Sequence, residues 1–139
     1  EHGIIRSSTI KLSWGLLKNP FVGSYERTFR TNETDPRIHF ALNCGAKSCP
    51  LVAVYHVENY EDKIDAVAKQ FLLKATIYKE EAKQVKVTPL FSWFRGDFGG
   101  KKGIIQFLKD YSLIPDESNP ELVFLDYDWT LSLGNYYAE

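Results

Sequence analysis

The apolar positions of the chain fall into runs with distinct periods. Tyr60, Ile64, Val67, Ala68, Phe71 and Leu72 recur at helical spacing, and Asn59 with Asp62 three residues on reads as the start of that helix. Thr76–Lys79 and Gln84–Val87 are short strand-like runs around Glu80–Lys83, a hairpin whose turn lacks glycine. Thr88-Pro89 is an N-cap followed by proline at the first helical position. The run it opens, Leu90 to Phe94, is almost wholly aromatic and aliphatic and predicts a short buried helix. A glycine-rich loop, Arg95–Gly100, leads to a second amphipathic helix carrying Ile104, Ile105, Phe107, Leu108 and Tyr111. Ile114 to Pro120 is a loop. Glu121 to Leu131 closes as a strand, with Asp126 and Asp128 on one face and Leu125, Tyr127 and Trp129 on the other.

Earlier in the chain the pattern alternates. Ile38, Phe40 and Leu42 interleave with Arg37, His39, Ala41 and Asn43, which predicts a strand over Arg37–Asn43 after a turn at Asp35-Pro36. One face goes to the core. The other carries a cation, an imidazole and an amide in one row, with Cys44 at the strand's exit and Gly45 permitting a sharp turn. Leu51 to Val57 reads as extended. Glu1–Arg6 reads as the last turn of a helix, and Ser7–Thr34 as an excursion with a short helix, broken at Asn19-Pro20. These elements predict an α+β domain. Its small, mostly antiparallel sheet would hold the Arg37–Asn43 strand, the hairpin and the C-terminal strand, packed by two or three amphipathic helices.

Composition narrows the class. At 139 residues the chain fits a single domain, 1–139, with 44% hydrophobic and 25% charged residues. A formal net charge of -1 argues against duplex nucleic acid as a partner. No apolar run reaches the roughly 20 residues of a membrane span, and no signal peptide is visible. There is no methionine, and Glu1–Arg6 reads as the middle of an element. The expectation is therefore the C-terminal portion of a longer domain, with Trp14, Leu16 and Leu17 exposed or covered by another chain.

The candidate chemistry centres on Cys44 and Cys49. Three readings are open: Cys44 as a nucleophile activated by His39, Arg37 or Lys47; a local disulfide; or two small buried hydrophobes. His39 with both cysteines and His2 or His56 lacks the paired C-x-x-C spacing of structural zinc sites, so no metal or cofactor is expected. His56 reads as a solvated loop residue. Arg95-Gly96-Asp97 spells an adhesion tripeptide, but three residues match by chance, and the aromatics before it make the loop look packed. Gly99-Gly100 reads as a turn. Asp126 and Asp128 either form a solvated face or orient a histidine.

Several segments carry a resemblance. Glu1–Arg6, then Asp35-Pro36-Arg37-Ile38-His39-Phe40-Ala41-Leu42-Asn43-Cys44 with Ser48-Cys49-Pro50, resemble the family catalogued as domain of unknown function 547. Leu90–Phe98 and Tyr127–Leu131 are similar to that family's downstream motifs. The excursion Ser7–Thr34 is longer than in compact members, and the family's upstream half, with its Asn-Ala-Tyr-Asn helix, is absent. The resemblance implies an α+β domain of bacterial, often exported proteins and of plant proteins behind coiled coils, and it supplies no substrate. Periplasmic or extracellular location follows from the resemblance alone, and export would make an oxidised cysteine pair chemically plausible.

Two functions are compatible with these residues. In a thiol hydrolase or acyl transferase, Cys44 attacks a carbonyl, His39 is the base, Asp128 orients the imidazole, and Asn43 or backbone amides stabilise the oxyanion. In a binding or scaffold module, the same surface grips a peptide or small molecule, with Arg37, His2 and Cys49 around the ligand and the cysteines structural. The hydrolase requires free thiols, with Cys44 facing a cleft beside a histidine and Cys49 more buried.

Overall fold

The structure, a computed structural model, describes residues 28 and 34–137. The expectations placed on Glu1–Arg6, His2, Trp14, Leu16 and Leu17 lie outside the described residues.

The first element among the described residues past 33 corrects the sequence reading. Pro36–Phe40 is a 3₁₀ turn, not the start of a strand. Asp35 caps it by accepting the Arg37 N–H at 2.9 Å, and Pro36 contributes a preset φ and no orphan N–H. Ile38, His39 and Phe40 are all buried, three in succession, which a pleated strand with alternating faces does not do. The Arg37 guanidinium ties this turn to the next helix. It grips Asp35 through Nε and Nη2, reaches Glu61 Oε2 at 2.7 Å, and lies 3.9 Å from Asp65. Hydrogen bonding to Asp35 is the largest influence on this cation and raises its pKa further.

Helix α1, Tyr60–Ala75, follows a 3₁₀ turn at Val57–Asn59 and buries Ile64, Val67, Ala68, Phe71 and Leu72. Asn59 stands at its N-cap without a side-chain capping bond; Glu61 and Asp62 in the first turn and Lys74 in the last match the helix dipole. Strands β1, Thr76–Lys79, and β2, Gln84–Val87, pair antiparallel as the sequence predicts. Lys83 takes the left-handed position in their turn at φ 48°. Helix α2 is short, Leu90–Trp93. It buries Leu90 and Phe91 but leaves Trp93 38% exposed, so its burial is one-sided. Helix α3 spans Gly100–Asp110 and buries Ile104, Ile105 and Leu108.

Strand β3 is Glu121–Phe124, shorter than the sequence suggests, and pairs parallel with β2. The long connection through α2 and α3 makes a parallel return possible where a tight turn would not. The three-stranded sheet, ordered β1-β2-β3, is therefore mixed, and the domain is α+β. Past β3 the chain runs on extended and lies against the cysteine loop instead of the sheet. Lys47 N–H donates to Thr130 O at 2.8 Å and Ser132 N–H to Gly45 O at 2.8 Å.

The core lies between α1, the sheet and α2–α3. Phe40, Phe91 and Phe98 form its aromatic centre, with ring centroids 5.6 Å apart for Phe40–Phe91 and 4.7 Å for Phe91–Phe98. Among the described residues, no helix is long and apolar enough to cross a membrane.

The loop before α3 packs onto its first turn so closely that a Cβ on Gly103 would collide with the Phe98 carbonyl oxygen. Gly103→Ala must push Phe98 off that helix, at a cost of about 2 kcal/mol typical of overpacking. Thermal unfolding should report it as a fall in Tm. An unchanged Tm would contradict this packing.

Candidate functional site

The 3₁₀ turn sets His39 deep in the protein, 1% exposed. Its Nε2 lies 2.8 Å from Asp97 Oδ2, with both side chains shielded from solvent. Phe94 stacks flat on the imidazole at 4.0 Å between centroids and 3° between planes, and Phe98 leans on it at 5.6 Å. Asp97 belongs to the Arg-Gly-Asp tripeptide. Its carboxylate points inward, so the tripeptide is not displayed as a surface ligand.

Cys44 and Cys49 are joined in a disulfide, with Cα atoms 6.2 Å apart. This corrects the expectation of free thiols. Gly45, at φ 83°, provides the left-handed turn that folds the intervening loop back on itself. Asn43 braces the loop: its Nδ2 donates to Pro50 O, and its Oδ1 accepts the Gly45 N–H at 2.6 Å. The amide thus closes the loop at both ends. Cys49 is the more buried residue of the pair, at 5% exposure, and Cys44 is exposed.

Asp128 lies on the other side of the loop. Its backbone N–H donates to Ser48 Oγ at 2.9 Å, its Oδ1 accepts the Thr130 N–H at 2.9 Å, and its Oδ2 meets Lys47 Nζ at 3.2 Å. Among the described residues, the carboxylate hydrogen-bonded to His39 is Asp97, and Asp128 has other partners. Hydrogen bonds from Thr130, then Lys47, hold Asp128 down at about 2. A depressed carboxylate stabilises the fold fully above its unfolded value, and the contribution disappears as pH falls through the folded value. The loop contacts of Asp128 should therefore persist to about pH 2, followed by its carboxyl carbon shift in an NMR titration. A midpoint at the ordinary 3.8 would contradict them.

Around these groups lies a cavity of about 330 Å³. His39, Leu42, Cys44, Cys49, Trp93, Phe94, Tyr127 and Trp129 line it, together with Asn43, Pro50 and Leu90. Trp93, Tyr127 and Trp129 pack against one another, with Trp93 and Trp129 stacked at 5.7 Å and Tyr127 and Trp129 at 4.6 Å. The α2 helix supplies the first, and the segment after β3 the other two. A second cavity, about 290 Å³, lies on the far side of Cys49 and Tyr127 and includes Lys47, Lys74 and Asn135.

The structure therefore brings His39, Asn43, Cys44 and Cys49 to one cavity and leaves Arg37 and Asp128 off its wall. Sequence reasoning missed Asp97, Trp93 and Phe94 as parts of the site. Asp97 had a signal: an aspartate within a packed aromatic loop must find a buried partner, since a lone buried charge is too costly. Both sulfurs are bound to each other, so neither is a thiolate able to hold a metal.

Fold and cavity together define an α+β domain with a disulfide-walled aromatic pocket built on a buried histidine–aspartate pair. The chain belongs to the family described as Protein of unknown function, DUF547, whose sequence profile matches residues 1–72, just over half of it. The match takes in the His39–Cys44 segment, the cysteine loop and most of α1; Leu90–Phe98 and Tyr127–Leu131 lie beyond it. No curated protein and no solved structure matches the chain.

Proposed function

We propose that the domain is a binding module whose aromatic cavity takes one apolar or aromatic group from a peptide or small molecule. The observation that carries this reading is the cavity itself. At about 330 Å³ it sits at the small end of ligand pockets. Its wall is mostly ring and aliphatic carbon, and its polar groups are few and already oriented. His39 is fixed by Asp97 and Phe94, Asn43 by the loop, and the sulfurs by each other. A rigid wall of this kind loses little entropy when a ligand enters. A single leucine-sized group gains about 2 kcal/mol from burial, so an isolated fragment should bind with a Kd on the order of 30 mM. A longer ligand gains the rest from the exposed Trp129 and its surroundings.

Tryptophan fluorescence, with N-acetyl-leucinamide as a non-absorbing probe, tests this reading. Saturable change in the native chain, lost in Trp93→Ala, supports it. A linear, unsaturable response equal in the two proteins would count against it.

A thiol hydrolase or acyl transferase is the second reading, favoured by Cys44 and His39 sharing one cavity. It belongs to the reduced chain, because a nucleophile must be a free thiolate. In that form Cys44 would attack, His39 would be the base, and Asp97 would take the orienting role assigned to Asp128. Asn43 would leave its loop contacts to serve an oxyanion. Hydrolysis of p-nitrophenyl acetate by the reduced chain, lost in Cys44→Ser and absent from the bridged chain, is its signature.

A further inference from the structure

The two sulfurs of the bridge sit in different surroundings. Cys44 is exposed and Cys49 is 5% exposed. Two donors converge on Cys49 Sγ: the Cys44 backbone N–H at 3.0 Å and the Tyr127 O–H at 3.2 Å. Cys44 Sγ is farther from the phenol, at 3.8 Å. Thiol–disulfide exchange needs an accessible sulfur to be attacked and a second sulfur able to leave as a thiolate, and its rate rises with the stability of that leaving group.

We propose that the Cys44–Cys49 bridge is a thiol–disulfide exchange site, attacked at Cys44 and released at Cys49, with a small-molecule or protein thiol as co-substrate. The incoming thiol loses its proton to solvent, and its thiolate attacks Cys44 Sγ from the open side. A sulfur–sulfur bond forms between the incoming sulfur and Cys44. The Cys44–Cys49 bond breaks, and its electron pair passes to Cys49 Sγ. Tyr127 O–H and Cys44 N–H receive the new charge. A second thiolate then attacks the external sulfur, forming an external disulfide and releasing Cys44 as a thiolate. The net change is a two-electron reduction of the bridge and oxidation of two thiols.

The site is built to survive the step. Lys47 N–H to Thr130 O, Ser48 N–H to Asp128 O and Ser132 N–H to Gly45 O hold the loop against the C-terminal segment without help from the sulfurs. Cys49 therefore stays beside Tyr127 once the bond is broken. Burial raises the pKa of the phenol, which keeps it a proton donor under the alkaline conditions where thiols react fastest. Because Cys49 and Tyr127 border both cavities, exchange at this bond alters the wall between them. This activity does not depend on ligand binding in either one.

The test uses the whole, unreduced chain with reduced glutathione. Samples are quenched with acid at intervals, alkylated and mapped by mass spectrometry. The expected intermediate carries glutathione on Cys44 and the alkyl group on Cys49, while circular dichroism stays native. In Tyr127→Phe the first exchange should slow by about tenfold, the worth of a hydrogen bond to a charged sulfur. Three results would overturn the proposal. Glutathione could map to Cys49, the bridge could resist reduction until the protein unfolds, or Tyr127→Phe could react at the native rate. Should that variant fail to fold, the mapping in the native chain decides alone.

Discussion

Phe40→Ala is expected to destabilise the domain by about 4 kcal/mol, in the range for emptying a buried aromatic site, and to lower Tm by roughly 15 °C. Phe40 is 0% exposed and touches rings from three other elements: Phe71 of α1, Phe91 of α2 and Phe107 of α3. Its removal leaves a void that no single neighbour can fill. The residue also follows His39 directly, so the same 3₁₀ turn that anchors the core fixes His39 beside the cavity. Loss of stability and loss of probe binding should therefore go together in this variant. A Tm change under about 5 °C would mean that the turn is not seated as described.

Asp97→Ala should cost about 3 kcal/mol, because it leaves His39 Nε2 buried without the carboxylate it now faces. Both side chains are essentially solvent-free, so the pair is shielded from bulk water. Asp97→Asn keeps a polar group at that place and should cost about 1 kcal/mol. The ordering of the two variants is the diagnostic feature. In urea unfolding it appears as a shift of the midpoint with little change in slope, since the surface exposed on unfolding is nearly the same. Equal, near-zero effects in both would remove the histidine–aspartate pair from the account.

Elements set by long periodic runs were legible from the sequence. Of the stripe Tyr60, Ile64, Val67, Ala68, Phe71 and Leu72, the last five are buried on one helical face, while Tyr60 at the first helical position is 36% exposed. The hairpin was found at its observed bounds without a turn glycine, because Lys83 accepts the left-handed position itself. The Arg37–Asn43 segment was not legible. Over so few residues, alternation of Ile38, Phe40 and Leu42 fits a pleat, yet Asp35-Pro36 is equally a helix start, and the short-range cap won. A strand would turn His39 away from its apolar neighbours, whereas the 3₁₀ turn buries it with them.

The direction of β3 was illegible for a different reason. Its pairing depends on how α2 and α3 carry the chain back to β2, and no local pattern encodes that. The cysteine pair was readable as a possibility only. Gly45 allows the loop to close, but bridging depends on where the C-terminal segment holds residues 45–48. The aromatic wall brings Trp93 together with Tyr127 and Trp129 across a large separation in sequence. Each looked like an ordinary core residue alone, and the site exists only in their combination.

The cavity over His39 and the bridge is proposed to bind an apolar group. The most direct measurement is a ¹H–¹⁵N correlation spectrum of the unreduced, isotope-labelled chain titrated with N-acetyl-leucinamide. Saturable shifts are expected in the indole N–H signals of Trp93 and Trp129 and in the amides of Asn43, Cys44 and Tyr127, with the β1–β2 hairpin unmoved. Shifts confined to other surfaces, or none as the probe passes about 100 mM, would contradict apolar binding in this cavity.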